Sequence, residues 1–352
     1  MERFKPLTWA RFPGDGGILH VRGHSTKFTL HCFSKNLAAA PADLTTENDS
    51  TTSMNHEGDT DDGPTPAMTS AEAARALLQP FLSLMNELAP RETESHTLYN
   101  YLYPQQFNLA AEATQNDTTI RPRISKEKPV YHPPGQIMSL PMRTQVPSSF
   151  RRYSSQQVKV PLSWHDGRNP MIYGPQEVHV DNNGTKCFLK VFRPSDGDLV
   201  PSATIMELRK YDKIEEAIAK GRLSPQSRIC RLHGIVVDSY DDLPEEYKTT
   251  RAQDHLVGLL LTYIEPMQSY RCSGLNSMSD EFIRQHHFNL ERDLDDILQS
   301  LHNADIVWGD VSVYNVLVGK DNHIYGIDFG GSFTPGWIDE SNQNTKKGDL
   351  QG

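Results

Sequence analysis

At 352 residues, with 37% hydrophobic and 23% charged side chains, the chain is long enough for two domains and apolar enough for at least one sizeable core. A formal net charge of -10 argues against non-specific binding to nucleic acid or an anionic membrane, both of which select an excess of Lys and Arg, so a basic partner suits it better. The four cysteines, Cys32, Cys187, Cys230 and Cys272, form no Cys-x-x-Cys pair and lie near no His in metal-ligand register, so they read as reduced thiols. The first 30 residues hold no apolar stretch of signal-peptide length, and no run of ~18 apolar residues occurs, so an intracellular protein, cytoplasmic or nuclear, is expected.

Along the chain, KFTLHCF sets Phe28, Leu30 and Cys32 on one side of a short strand. Residues 41–70 carry seven acidic side chains, no Lys or Arg, no aromatics and one leucine. Such a segment buries too little apolar surface to offset its ordering entropy, so 41–68 is expected to be a disordered linker. Thr69 and Glu72 make a capping-box pattern ahead of a helix over 70–88, with Leu77, Leu78, Phe81, Leu82, Met85 and Leu88 at helical spacing and Pro80 as a kink. Residues 89–155 mix an aromatic cluster (Tyr99, Tyr101, Tyr103, Phe107) with Pro-rich and basic stretches and read as a tethering segment. Residues 1–155 are thus an N-terminal extension.

From about 156 onward the texture is that of an α+β domain. EVHV, the turn DNNG and KCFLKVF form a hairpin, because Asn-Gly accommodates the positive φ angles of a tight turn. SATIMELRKYDKIEEAIAKG follows as a helix with Ile205, Leu208, Tyr211, Ile214 and Ile218 as its apolar stripe and Gly221 as its stop. ICRLHGIVV and HLVGLLLTYI are strands, and FNLERDLDDILQSLHNA is an amphipathic helix lined by Leu290, Leu294, Ile297, Leu298 and Leu301.

That helix leads into IVWGDVSVYNVLVGKDNHIYGIDFGGS. Here Asp310 is followed five residues on by Asn315, and Asp328 opens an Asp-Phe-Gly triplet thirteen residues further, with strand pairs (NVLVG, HIYGI) between. Single Asp and Asn residues in loops are commonly turn formers; the joint spacing resembles the catalytic loop and metal-binding motif of the protein-kinase-like superfamily. The resemblance implies a two-lobed fold: a β-rich N-lobe over 156–262, a hinge over 263–266 and a partial α-rich C-lobe over 267–352. It implies an ATP- and Mg²⁺-dependent phosphotransferase acting on a protein Ser/Thr or small-molecule hydroxyl. Asp310 would orient the attacking hydroxyl, and Asn315 and Asp328 would hold Mg²⁺. Lys190 on the strand CFLKVF would pair the phosphates, with Glu207 in MELRKY as its ion-pair partner. Phe188 shares a face with Lys190, since strand side chains alternate, and would reach the base. Tyr263 and Ile264, with Thr262, would offer backbone groups to the adenine edge.

Several positions depart from the protein-kinase pattern. Trp308 replaces the usual His; Gly309 and Phe188 are similar to the antibiotic-kinase branch, such as the aminoglycoside phosphotransferases; and the Trp-Gly-Asp form with IDFGGSFTPGWIDE is similar to a group of fungal kinase-like proteins. Ser312 stands where protein-serine kinases carry a lysine. No Gly-x-Gly-x-x-Gly loop precedes Lys190, only Gly167 and Gly174 in WHDGRNPMIYG. Only 24 residues follow Asp328, so the lower lobe is expected to be truncated, with Asp349 beginning the helix that anchors the catalytic loop and some of the Leu290 to Leu301 face left exposed. The competing expectation is a pseudokinase or interaction module that binds a nucleotide or a partner without turnover.

Overall fold

In the computed structural model, the residues described are 4–12, 16–23, 25–33, 78–89, 95–113, 120–126, 140–141, 147, 149–161, 175–191, 202–245, 248, 254–267, 274–330 and 338–351. The expected linker over 41–68, the Thr69/Glu72 capping box and both glycines of WHDGRNPMIYG lie outside them. The architecture is α+β, and the chain divides into two compact units, residues 1–132 with 167–172, and 133–166 with 173–352.

The first unit holds a five-stranded sheet of β1 (Lys5–Phe12), β2 (Gly16–Arg22), β3 (Thr26–Phe33), β4 (Gln105–Ala113) and β5 (Ile120–Ile124), hydrogen-bonded in that order. β3 and β4 run parallel and the other neighbours antiparallel. Side-chain alternation gives the sheet two characters. Leu19, Val21, Phe28, Leu30, Leu109 and Ala111 point to one face and are buried with Leu78, Phe81 and Met85. His20, Arg22, Lys27, Thr29, His31 and Asn108 belong to the other. There burial, and then Arg22, push Lys27 down to about 8.

Of the helix expected over 70–88, the described part is a 3-10 turn, Gln79–Phe81, followed by α1 (Leu82–Leu88). Pro80 lies within that turn, between helical Leu78 and α1, so the helix is interrupted at the expected kink: Pro80 has no N–H to give an α-helical ladder. The aromatic cluster is divided. Phe107 stacks on Phe28 at 5.6 Å, while Tyr101 lies on α2 (Leu98–Leu102) under the Arg22 guanidinium at 4.0 Å. What reads as a tether therefore supplies two strands and a helix to a packed unit.

The second unit begins earlier than the expected boundary at 155, because β6 (Leu140–Pro141), β7 (Arg152–Tyr153) and β8 (Lys159–Pro161) pair into its sheet. With β9 (Glu177–Val180), β10 (Thr185–Val191), β11 (Leu232–Asp238) and β12 (His255–Thr262), the order is β8-β9-β10-β12-β11-β7, with β6 beside β12. The β9–β10 hairpin is closed by four residues, so positive φ falls on Asp181 (61°) and Gly184 (69°) rather than on an Asn-Gly pair. β12 is buried at every position from His255 to Leu261, which is why it reads as one apolar run without alternation.

Between β10 and β11 runs α3 (Ser202–Ala219), with Leu208, Tyr211 and Ile214 fully buried, and Gly221 (φ 68°) ends it. α4 (Asp280–Asn303) starts earlier than the expected Phe288. Ser279 caps it by accepting from Phe282 N, and Asp280 and Glu281 in the first turn suit the positive end of the helix dipole. β13 (Val316–Val318) and β14 (Ile324–Gly326) form the last hairpin, and α5 (Lys346–Asp349) is a single turn.

The expectation that some of the apolar face of α4 would be left exposed is met only at its edge: Leu290, Ile297, Leu298 and Leu301 are buried in one cluster with β11, β12 and the β13–β14 hairpin, Leu294 is half-buried, and Phe288 is 76% exposed. Asp293 sits in that stripe, 0% exposed, and holds the hairpin in place: it accepts from Arg228 at 3.1 Å, His323 Nδ1 at 2.7 Å and the Ile324 amide at 3.4 Å. No helix among the described residues is long and apolar enough to cross a membrane.

Candidate functional site

Strand, helix and loop converge on Lys190. It lies on β10 beside Leu259 of β12, and its ammonium meets Glu207 of α3 at 3.0 and 2.8 Å and Asp328 Oδ1 at 2.9 Å. Partners 17 and 138 residues away in sequence thus share one cation. Burial pulls the pKa of Lys190 down, but the Glu207 and Asp328 carboxylates outweigh it and hold the pKa above the ordinary lysine value. Glu207 is 2% exposed; burial raises its pKa against the opposing pull of Lys190.

Asp328 has φ 56°, a left-handed conformation uncommon for a non-glycine residue. Its Oδ1 also accepts from the Gly330 amide at 3.2 Å, leaving Oδ2 as the oxygen these donors do not use. Asn315 Nδ2 donates to both Asp310 O and Asp310 Oδ2 at 2.9 Å. That fixes the amide so that its oxygen, not its nitrogen, is the atom left for a cation.

Trp308 accounts for one departure from the superfamily pattern. It is fully buried, donates its indole N–H to Ile327 O at 3.1 Å and packs on Phe329 at 5.8 Å, while Phe329 meets Tyr211 of α3 edge-on at 5.6 Å. A Cβ on Gly326 would come within 2.9 Å of the indole, so the glycine makes room for the ring. Gly309 has φ 94°, a conformation that favours glycine.

Beneath this loop Asp349, 2% exposed, accepts from Trp308 N at 2.8 Å and Gly309 N at 2.7 Å and meets His302 Nε2 at 2.9 Å. It anchors the backbone ahead of Asp310. Ser312 is 2% exposed, and its Oγ meets no hydrogen-bond partner among the described residues. It supplies no cation beside Asp310.

The base-side residues divide. Phe188, opposite Leu261 in the sheet, is partly buried against the core, and Ile264 is 8% exposed. Tyr263 turns its side chain onto the β9–β10 hairpin: its hydroxyl donates to Glu177 Oε2 at 3.0 Å, and Lys186 Nζ lies 4.6 Å from its ring centre. Residues missed from the sequence are Lys210, Asp293, His302 and Gly326; a polar residue at stripe spacing was the available signal for Asp293.

Among the described residues no three His, Cys, Asp or Glu side chains gather as a metal site. Asp328 and Asn315 offer a small set of oxygens, which suits Mg²⁺, a cation that keeps several waters and takes its remaining ligands from substrate phosphates. No protein-family model matches the chain, and a search of curated proteins finds no match. Fold and site together define an α+β protein whose buried Lys–Glu pair faces an Asp, Asn and Asp cluster.

Proposed function

We propose that the second unit is an ATP- and Mg²⁺-dependent phosphotransferase of the two-lobed protein-kinase-like type, transferring the γ-phosphate to a protein Ser/Thr or small-molecule hydroxyl. The observation that carries this reading is the Glu207–Lys190–Asp328 contact, made by groups far apart in the chain, with Asp310 and Asn315 bonded to each other nearby. A structural role would be met more cheaply by apolar residues, because burying charge is costly even when paired.

In this reading Lys190 meets the nucleotide phosphates, and Glu207 keeps its ammonium in place. Bound Mg²⁺ would neutralise phosphate charge, with Asp328 and Asn315 as its protein ligands. Asp310 accepts the hydroxyl hydrogen or orients that hydroxyl. Phe188 and Ile264 line the base, and 263–266 serves as the hinge. The second reading, a module that binds nucleotide without turnover, is favoured by Ser312, a buried hydroxyl at the position where protein-serine kinases carry a lysine.

Transfer of labelled γ-phosphate, to the chain itself or to water, decides between them. Wild type is expected to turn over, and Asp310→Asn to lose about 100-fold or more while still binding Mg-ATP. Equal rates in both proteins would defeat the role of Asp310. Mg-ATP that raises the melting temperature of wild type but not of Asp328→Ala, with no phosphate transferred, selects the second reading.

A further inference from the structure

α3 is joined to the loop ahead of Asp310 at a point that the phosphotransfer chemistry does not require. Lys210 lies three residues after Glu207, nearly one helical turn, and so presents to a neighbouring strip of the same helix surface. Its Nζ donates to the carbonyl of Trp308 at 2.5 Å. That carbonyl belongs to the backbone whose amides Asp349 holds from the other side, and Gly309 and Asp310 follow it directly.

We infer that Lys210 is a positioning residue: it fastens the helix that carries Glu207 to the loop that carries Asp310, so the two halves of the site are held in register by a bond within the chain. This rests on the phosphotransfer reading above.

Three features support it. The contact joins backbone to a single side chain on a helix, so it constrains position, whereas the Glu207–Lys190–Asp328 contacts run through three side chains. It acts beside a second link between the same elements, the Tyr211, Phe329 and Trp308 rings, and both end on Trp308. Lys210 is also out of open water: burial pulls its pKa down, with Asp349 pulling up, Lys213 down, and Asp310 and Glu207 up. A lysine would not hold that place without a return, since a solvated position is open to it at no cost.

The test compares full-length wild type, Lys210→Met and Lys210→Arg. Methionine keeps the apolar stem and removes the charged donor; arginine restores a donor. Lys210→Met is expected to lose about 10- to 100-fold in kcat with the dissociation constant of Mg-ATP within about threefold, and Lys210→Arg to recover most of it. Hydrogen exchange of the apo proteins is expected to quicken in Lys210→Met both in 202–219 and at the amides of 308–310, and nowhere else in 254–330.

Wild-type kcat in Lys210→Met, or unchanged exchange in either segment, overturns the inference. So does a methionine variant that melts and loses Mg-ATP together, which would mark Lys210 as merely structural. If wild type itself transfers no phosphate, the phosphotransfer reading fails, while the exchange measurement still decides whether Lys210 couples helix to loop.

Discussion

Replacing Lys190 with methionine keeps most of the apolar stem and removes the cation from Glu207. Glu207 is 2% exposed and both its oxygens meet the ammonium, at 3.0 and 2.8 Å, so the variant strands a buried carboxylate. Breaking a buried ion pair from one side costs about 3 to 5 kcal/mol, whereas replacing both partners with apolar groups of similar volume is often close to neutral. Lys190→Met/Glu207→Met is therefore expected to be more stable than Lys190→Met alone, by about 2 kcal/mol or more. Asp328, with 45% of its side chain exposed, is screened by water and adds little to the difference.

The pH dependence carries the same argument. Burial already raises Glu207 above its reference value of 4.5, and without Lys190 the largest opposing pull is gone, so the folded-state pKa rises further. A folded-state pKa above the unfolded one means that stability is complete below the unfolded value and falls as pH climbs through the folded one. The deficit of Lys190→Met against the double variant should thus be smaller near about pH 5 and larger near about pH 8. Urea denaturation followed by circular dichroism at both pH values measures it. A single variant as stable as wild type at the higher pH, or a double variant no more stable than the single, would refute the buried pairing.

Asp349→Ala leaves the buried amides of Trp308 and Gly309 without their acceptor. At about 1 to 3 kcal/mol for each unpaired donor the loss is about 2 to 6 kcal/mol, read as a fall in melting temperature; an unchanged melt would remove Asp349 as the anchor of the loop. Burial pushes the thiols of Cys187 and Cys230 up to about 12, so at about pH 8 roughly one in ten thousand is thiolate. Maleimide labelling of the folded chain, mapped by mass spectrometry, should leave both unmodified and modify both in denaturant; rapid native labelling of either contradicts the burial.

Much of the second unit was legible because its signals are local. Alternation, turn residues and helical periodicity located the hairpin, α3, the two long strands and α4, since each depends on side chains a few positions apart. The spacing of Asp310, Asn315 and Asp328 marked the candidate site for the same reason: one short loop and one hairpin carry all three. The strands after residue 104 read as part of a tethering segment over 89–155 because the sheet of the first unit joins them to strands before residue 34, a pairing that local pattern does not record. Its second face also mixes His, Arg and Lys into buried positions, which blunts the alternation that marks a strand.

The sequence by itself determined which residues were chemically eligible: an acid, an amide and a second acid at fixed spacing, a lysine on a strand and a glutamate on the next helix. Tertiary structure decided which of them meet. Three glutamates lie on α3, and only the fold turned Glu207 inward to Lys190 while Glu215 pairs with Arg231 and Glu216 with Lys220. It also turned the Tyr263 side chain onto the β9–β10 hairpin, seated Trp308 over Gly326, and set Asp349 and Lys210 on either side of one loop. Burial and long-range contact fix these outcomes, and both are properties of the packed chain rather than of any window of its sequence.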